Sequence, residues 1–244
     1  MSIVFHAASG SPYAWRVWLA LEYKEVAYEL RLHELSAGDT LAPAFVALNP
    51  RRKVPVLVDD GYVLAESAAI LEYLDERFPE APLLFPGDAR ARATVRRFVR
   101  EIDEYLGPAS RRLVHDAWFQ ESEARTTAAL DADVEQCHAE LRYFDGLVGK
   151  GFLAGPLSAA DFSLYPRVAL LQRLERSMPQ LDSARLIPAD LRRWMARLEQ
   201  LPFFARAYPP YWTRTDDGAR NDPRRGQSGF NMDRPERGSD DISQ

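Results

Sequence analysis

Ser11 stands directly before Pro12 and five residues before Arg16, in the run Ser9-Gly10-Ser11-Pro12-Tyr13. A hydroxyl in front of a proline reads as the N-cap of a helix whose first position is the proline. A second group of polar residues surrounds Val54-Pro55-Val56-Leu57-Val58. Lys53 precedes it, and Glu66-Ser67 follows after Asp60-Gly61 and Tyr62 to Ala65. Val-Pro entering a strand is a place where a cis bond can be selected. Such a bond would turn the Val54 N–H and C=O away from the sheet ladder, leaving an edge-like backbone for an extended peptide ligand. A backbone edge, a cation, a carboxylate and a hydroxyl therefore gather on one hairpin and its flanks. No metal-ligand spacing appears among the four histidines. The single Cys137 falls in a helical stripe with Leu130, Val134, Leu141 and Phe144 and reads as core.

These residues need elements to hold them. Ile3 to Ala7 reads as a strand, and the helix from Pro12 ends near Lys24. Tyr28 to Leu32 reads as a second strand. Leu35 to Leu41 is loop-like, and Phe45 to Leu48 a short helix. Val54 to Val58 is β-branched and apolar, a buried strand. Asp60-Gly61 is a hairpin turn signal, with Tyr62 to Ala65 as the returning strand. The period then becomes helical from Glu66 to about Phe78. The order β-α-β-α-β-β-α predicts a small mixed sheet with helices on both faces, a thioredoxin-like layout without a redox cysteine.

Pro79 to Gly87 holds three prolines and a glycine and reads as a linker. Beyond it the apolar spacing of Val95, Phe98, Val99, Ile102, Leu106, Ala109 and Leu113 predicts one long helix from about Asp88 to Val114, kinked or interrupted at Gly107-Pro108. Further helices are expected at about 122–148, 161–174, 189–201 and 203–208. In Ser158-Ala159-Ala160-Asp161, Ser158 is expected to cap the amide of Asp161, whose carboxylate reaches back. The division expected is 1–80, a linker at 81–87, an all-helical unit at 88–212, and a polar tail at 213–244 too poor in apolar residues to build a core.

The 244 residues are 46% hydrophobic, enough for a packed core, with a formal net charge of −5 that gives no reason to expect nucleic acid as a partner. No apolar run is long enough to span a membrane, and the chain starts on a strand without a signal pattern, so a cytoplasmic protein is expected.

The hairpin segment, with Val-Pro-Val-Leu, a two-residue turn and Glu-Ser opening a helix, resembles the ligand-binding half of cytosolic glutathione transferases. Ser11-Pro12-Tyr13-Ala14-Trp15-Arg16-Val17 resembles that family's first strand-to-helix turn. Gly155-Pro156-Leu157-Ser158-Ala159-Ala160-Asp161 resembles its capping box. The three segments follow the family's order over residues 1 to about 210. The resemblance implies a thioredoxin-like α/β domain followed by an all-α helical bundle, with glutathione as co-substrate and no metal. It implies a serine-type enzyme, zeta- or theta-like and bacterial in style, because tyrosine-type members carry their phenol on the first strand, here Phe5-His6-Ala7. Where the zeta signature continues with further Ser and Cys, this chain has Pro12 and Tyr13.

By the same resemblance, Ser11 favours the thiolate, helped by the helix N-terminus. Glu66 holds the γ-glutamyl amine, Ser67 the neighbouring carboxylate, Val54 the cysteinyl backbone and Lys53 the glycyl carboxylate. A second-substrate pocket between the halves would draw on Tyr13, Tyr105, Arg112 and His115, with Trp118 and Phe119 as further wall residues. The activity implied is conjugation of glutathione to a small hydrophobic electrophile, a detoxification chemistry, in a homodimer. The alternatives are a glutathione-dependent isomerase, lyase or dehalogenase, and a non-catalytic binding or scaffold module. Glu66-Ser67, Val54-Pro55 and Ser11 together argue against the scaffold.

Overall fold

A computed structural model describes residues 2–118, 127–149, 151–177 and 186–210. Strands β1 (Ile3–Ala7), β2 (Glu29–Leu32), β3 (Val56–Asp59) and β4 (Tyr62–Ala65) form one sheet in the order β2-β1-β3-β4. β1 pairs parallel to β2 and antiparallel to β3, and β3 pairs antiparallel to β4. The hairpin turn falls at Asp60-Gly61, where φ is 46° and 91°, the left-handed pair that a two-residue turn matched to strand twist requires. The expected strand over Val54 to Val58 begins pairing only at Val56. Pro55 has no N–H to give a ladder.

Helices lie on both faces of the sheet, as the element order predicts. Phe5 points into the face covered by α1 (Pro12–Tyr23) and meets Trp18 edge-on. His6, one residue along, points to the other face and meets Phe45 of α2 (Pro43–Leu48). α3 (Ser67–Arg77) packs on α1, and its last turn passes into the linker. The linker is tied to both halves: Lys24 Nζ donates to the Pro82 carbonyl at 3.0 Å, Leu84 N–H to Asp75 Oδ1 at 2.6 Å, and Ala159 N–H to the Leu84 carbonyl at 2.8 Å.

The remaining described elements are helical. The expected long helix is present as α4 (Ala89–Glu101), a π-helical turn (Ile102–Leu106) and α5 (Gly107–Trp118). The Gly107 N–H reaches the Ile102 carbonyl, one residue further back than in an α-helix. Pro108 has no N–H of its own, and the chain passes it through this wider turn without breaking. Past the turn the buried stripe continues as expected through Leu106, Ala109 and Leu113, with Ser110 and Ala117 buried beside it. α6 (Thr127–Val148), α7 (Ala159–Ser177) and α8 (Ala189–Glu199) complete the bundle. Phe204–Ala207 form a 3-10 turn where a short helix was expected. Cys137 is fully buried, and burial pushes its thiol up to about 12, as suits a core residue. The expectations for the tail from residue 213, and for the walls Trp118 and Phe119, fall outside the described side chains.

Asp161 organises the helical half. Its carboxylate accepts from Ser158 N–H (3.1 Å), Ser158 Oγ (3.2 Å), Leu153 N–H (2.8 Å) and Trp194 Nε1 (3.0 Å). The reach back to Ser158 is the expected half of the capping box. The other half differs: the Ser158 hydroxyl donates to the carboxylate, and the Asp161 N–H bonds the Ser158 carbonyl at 3.1 Å. Burial raises the Asp161 pKa to about 6, and these donors pull against that rise.

Candidate active site

α1 and α7 pack along each other, with Trp15 edge-on to Tyr165 at 5.3 Å, and this seam joins the sheet half to the bundle. Ser11 caps α1: its backbone is extended and its Oγ accepts from Ala14 N–H at 3.2 Å. The side chain is largely buried. Accepting one bond leaves the hydroxyl hydrogen available to a ligand at the helix entrance.

Ser67 opens α3 and is also buried. Its Oγ accepts from two nitrogens of Arg16, Nε at 2.9 Å and Nη2 at 2.6 Å. Both lone pairs are thus occupied, and the hydroxyl can only donate outward. Arg16, 3% exposed, also makes a bidentate pair with Asp103 from the π-helical turn, with Nη1 at 2.9 and 3.0 Å and Nη2 at 3.0 Å. Arg16 Nη1 reaches Ser163 Oγ of α7 at 3.4 Å. One guanidinium therefore links the start of α3, the bent helix and α7.

Glu66 precedes Ser67 with φ +69° and ψ 104°, a conformation that costs a non-glycine residue roughly 1–3 kcal/mol and gathers at functional sites. Its side chain is exposed and makes no capping bond. Val54 is half-buried, lies outside both ladders and is joined to Pro55 by a cis bond. Lys53 is exposed at its side chain. Its carbonyl accepts from Asn49 Nδ2 at 2.7 Å, which holds the loop in front of Val54.

The expected second-substrate residues separate. Tyr13, in the first turn of α1, has Arg167 of α7 over its ring, with Cζ 4.2 Å from the centroid, and accepts from Arg111 Nη2 of α5 at 3.3 Å. His115 is half-buried on α5. Arg112 turns instead to α6, bonding Gln136 Oε1 at 2.6 Å and pairing with Asp133. Tyr105 lies two residues past Asp103, on the opposite side of the helix. It lines a shallow cleft of about 370 Å³ with Glu101, Ala139, Glu140 and Tyr143. Sequence reasoning missed Asp103, Ser163, Arg111 and Arg167, and gave Arg16 only as a spacing mark. Asp103 is 87 residues from Arg16, so no local pattern announces the pair.

Residues 5–82 match the family model for the glutathione S-transferase N-terminal domain. A probable maleylacetoacetate isomerase of Vibrio cholerae is 30% identical over 223 residues, which cover 86% of this chain and 96% of that protein. The chain belongs to the glutathione transferase family. A glutathione S-transferase 1 of Dianthus caryophyllus is 47% identical over 88 residues, 36% of this chain and only 39% of the relative's own length. Among solved structures, a glutathione transferase from Burkholderia graminis, described with two glutathione molecules bound per subunit, superposes with a TM-score of 0.75 at 26% identity, over 85% of this chain and 87% of that one. Membership of the glutathione transferases agrees with the thioredoxin-like sheet followed by helices. None of the helices among the described residues is long and apolar enough to cross a membrane.

Proposed function

We propose that this glutathione transferase binds glutathione along the Val54 edge and the start of α3, and conjugates its thiolate to a small electrophile. The observation that carries the reading is the Ser67 hydroxyl, held by two Arg16 N–H groups so that it can only donate, at the N-terminus of a helix. A hydroxyl donor beside helix N–H groups fits a carboxylate. Glu66, exposed beside it, supplies the opposite charge for an amine. An amine and a carboxylate on adjacent bonds make the γ-glutamyl end of glutathione. Val54 then meets the cysteinyl backbone, Lys53 the glycyl carboxylate, and the sulfur arrives at Ser11, where the hydroxyl and the α1 N-terminus favour the thiolate. The solved relative with glutathione in place supports the same ligand.

A second reading, glutathione-dependent isomerisation, is favoured by the Vibrio cholerae relative named as an isomerase over almost its whole length. The same proposal includes a homodimer. Tyr62 and Val63 on β4, with Tyr105, Tyr143 and Leu147 on the bundle, are exposed apolar residues that a two-fold pairing would cover.

Retention on immobilised glutathione followed by a conjugation screen over several electrophile classes tests the reading. Retention with turnover of at least one electrophile is expected. Retention with turnover only of a cis-unsaturated acid to its trans isomer would favour the second reading, and failure to be retained would remove both.

A further inference from the structure

His6 lies on β1, and His33 directly follows β2. His6 Nδ1 and His33 Nε2 are 2.8 Å apart, and the two rings stack with centroids at 5.1 Å. Both side chains are half-buried. A hydrogen bond between two imidazoles needs one ring to donate and the other to offer a lone pair. The bond can survive one added proton, on the donor ring's other nitrogen. With both rings protonated, two N–H groups face each other and two cations stack.

Phe45 rests on this pair, edge-on to His6 at 6.0 Å and to His33 at 4.8 Å. It is the buried side chain of the six-residue α2, which has no side-chain cap at its start. The seat of α2 is therefore the histidine pair. At its other end α2 passes into Asn49, whose N–H bonds the Phe45 carbonyl at 2.9 Å. Asn49 is buried and holds the following loop from inside. Its Nδ2 donates to the Lys53 carbonyl at 2.7 Å, its Oδ1 accepts from Arg51 N–H at 3.0 Å, and its carbonyl accepts from Arg52 N–H at 2.8 Å. Val54 comes next.

Among the described residues, the charged groups acting on the pair are Glu29 and Arg31 of β2 and Asp39 ahead of α2. α2 itself brings none, and Val56 stands beside His6 on β3. Burial comes first in lowering both pKa values, with Arg31 acting the same way on each ring, against Glu29 at His6 and Asp39 at His33. Full protonation therefore belongs to the acid side of about pH 6.5.

We propose that His6 and His33 form an acid-sensitive latch on the glutathione loop: a second proton parts the rings, unseats Phe45 with α2 and residues 49–53, and weakens glutathione binding. This rests on the reading that Lys53 and Val54 border glutathione. The same linkage requires that glutathione, by favouring the closed latch, expel protons when it binds in acid.

Glutathione is titrated by calorimetry between pH 5 and 7, a range that its own thiol, amine and carboxylates leave largely untouched. Two buffers of different ionisation heat count the protons released. Wild-type affinity should fall about tenfold from pH 7 to 5, with up to about one proton released per chain near pH 5.5. His33→Gln and His6→Gln each remove the paired charge, and affinity should then hold within about threefold. Either variant suffices if the other does not fold. Amide-exchange protection over residues 43–53, corrected for the intrinsic rate, should fall between pH 7 and 5 in wild type and not in the variants. Wild-type affinity that holds at pH 5, or an equal acid loss and proton release in a folded variant, overturns the proposal while leaving the glutathione reading intact. No glutathione binding at pH 7, with the exchange difference present, would remove the glutathione reading and the latch's action on it.

Discussion

Replacing Asp103 by Asn should destabilise this protein far more than a surface substitution does. Asp103 makes three contacts of 2.9–3.0 Å to Arg16, whose side chain is 4% exposed against 18% for Asp103. Removing one charge of a buried pair costs about 3–5 kcal/mol because the other charge stays buried and unmatched. Asp103 keeps some water contact, which places the loss near the lower end, about 3 kcal/mol. Arg167, another buried cation facing the same group, adds to the imbalance. For a chain of this size the melting temperature should fall by roughly 6–12 °C. Urea unfolding of wild type, Asp103→Asn, Arg16→Met and the double variant would measure it. Arg16→Met should be at least about 2 kcal/mol less damaging when Asp103 is already Asn. A loss under about 1 kcal/mol, or additive effects in the double variant, would refute the claim that the pair is a buried, coupled unit.

Ser11→Ala should slow conjugation about tenfold near neutral pH with little change in glutathione affinity, the deficit shrinking at high pH; identical thiolate titration of the bound complex in both proteins would reduce Ser11 to a cap. Trp194→Phe should cost about 2 kcal/mol in denaturant unfolding by removing a donor from the buried Asp161 carboxylate, and an unchanged midpoint would remove Asp161 from its organising role. His6 and His33 share a 2.8 Å hydrogen bond, stack at 5.1 Å and both have lowered pKa values, His6 through burial and then His33, and His33 through burial, with Glu29, Arg31 and Asp39 the charged groups nearby. The unfolded chain therefore binds more protons below about pH 6.5, so their contribution is complete above that pH and lost as pH falls. Urea midpoints at about pH 7 and 5 should differ less in His33→Gln than in wild type, and an equal difference would show that other groups carry the acid sensitivity.

The sheet was legible because its signals are local. Asp60-Gly61 names its turn, and Pro55 marks where pairing cannot begin. The contacts that make the site are not local. Arg16 meets Asp103 and Ser163 only after the two halves have packed, and no spacing rule reaches that far. Arg111 and Arg112 are neighbours on one helix, and which of them meets Tyr13 and which turns to α6 is settled only by where α1 and α6 pack. The Gly107-Pro108 pair signalled that something happens there, but not that the helix would widen rather than bend. In the capping box, Ser158 and Asp161 were readable, whereas Leu153 and Trp194 come from outside the motif.

On the proposed reading the start of α3 holds the γ-glutamyl end of glutathione. Calorimetric titration of glutathione into wild type, Glu66→Ala and Ser67→Ala decides it. One glutathione should bind per chain, with a loss of about 2–3 kcal/mol in either variant, roughly 30- to 150-fold in Kd. Wild-type affinity in both variants, or no binding by the wild-type protein at millimolar glutathione, would contradict it.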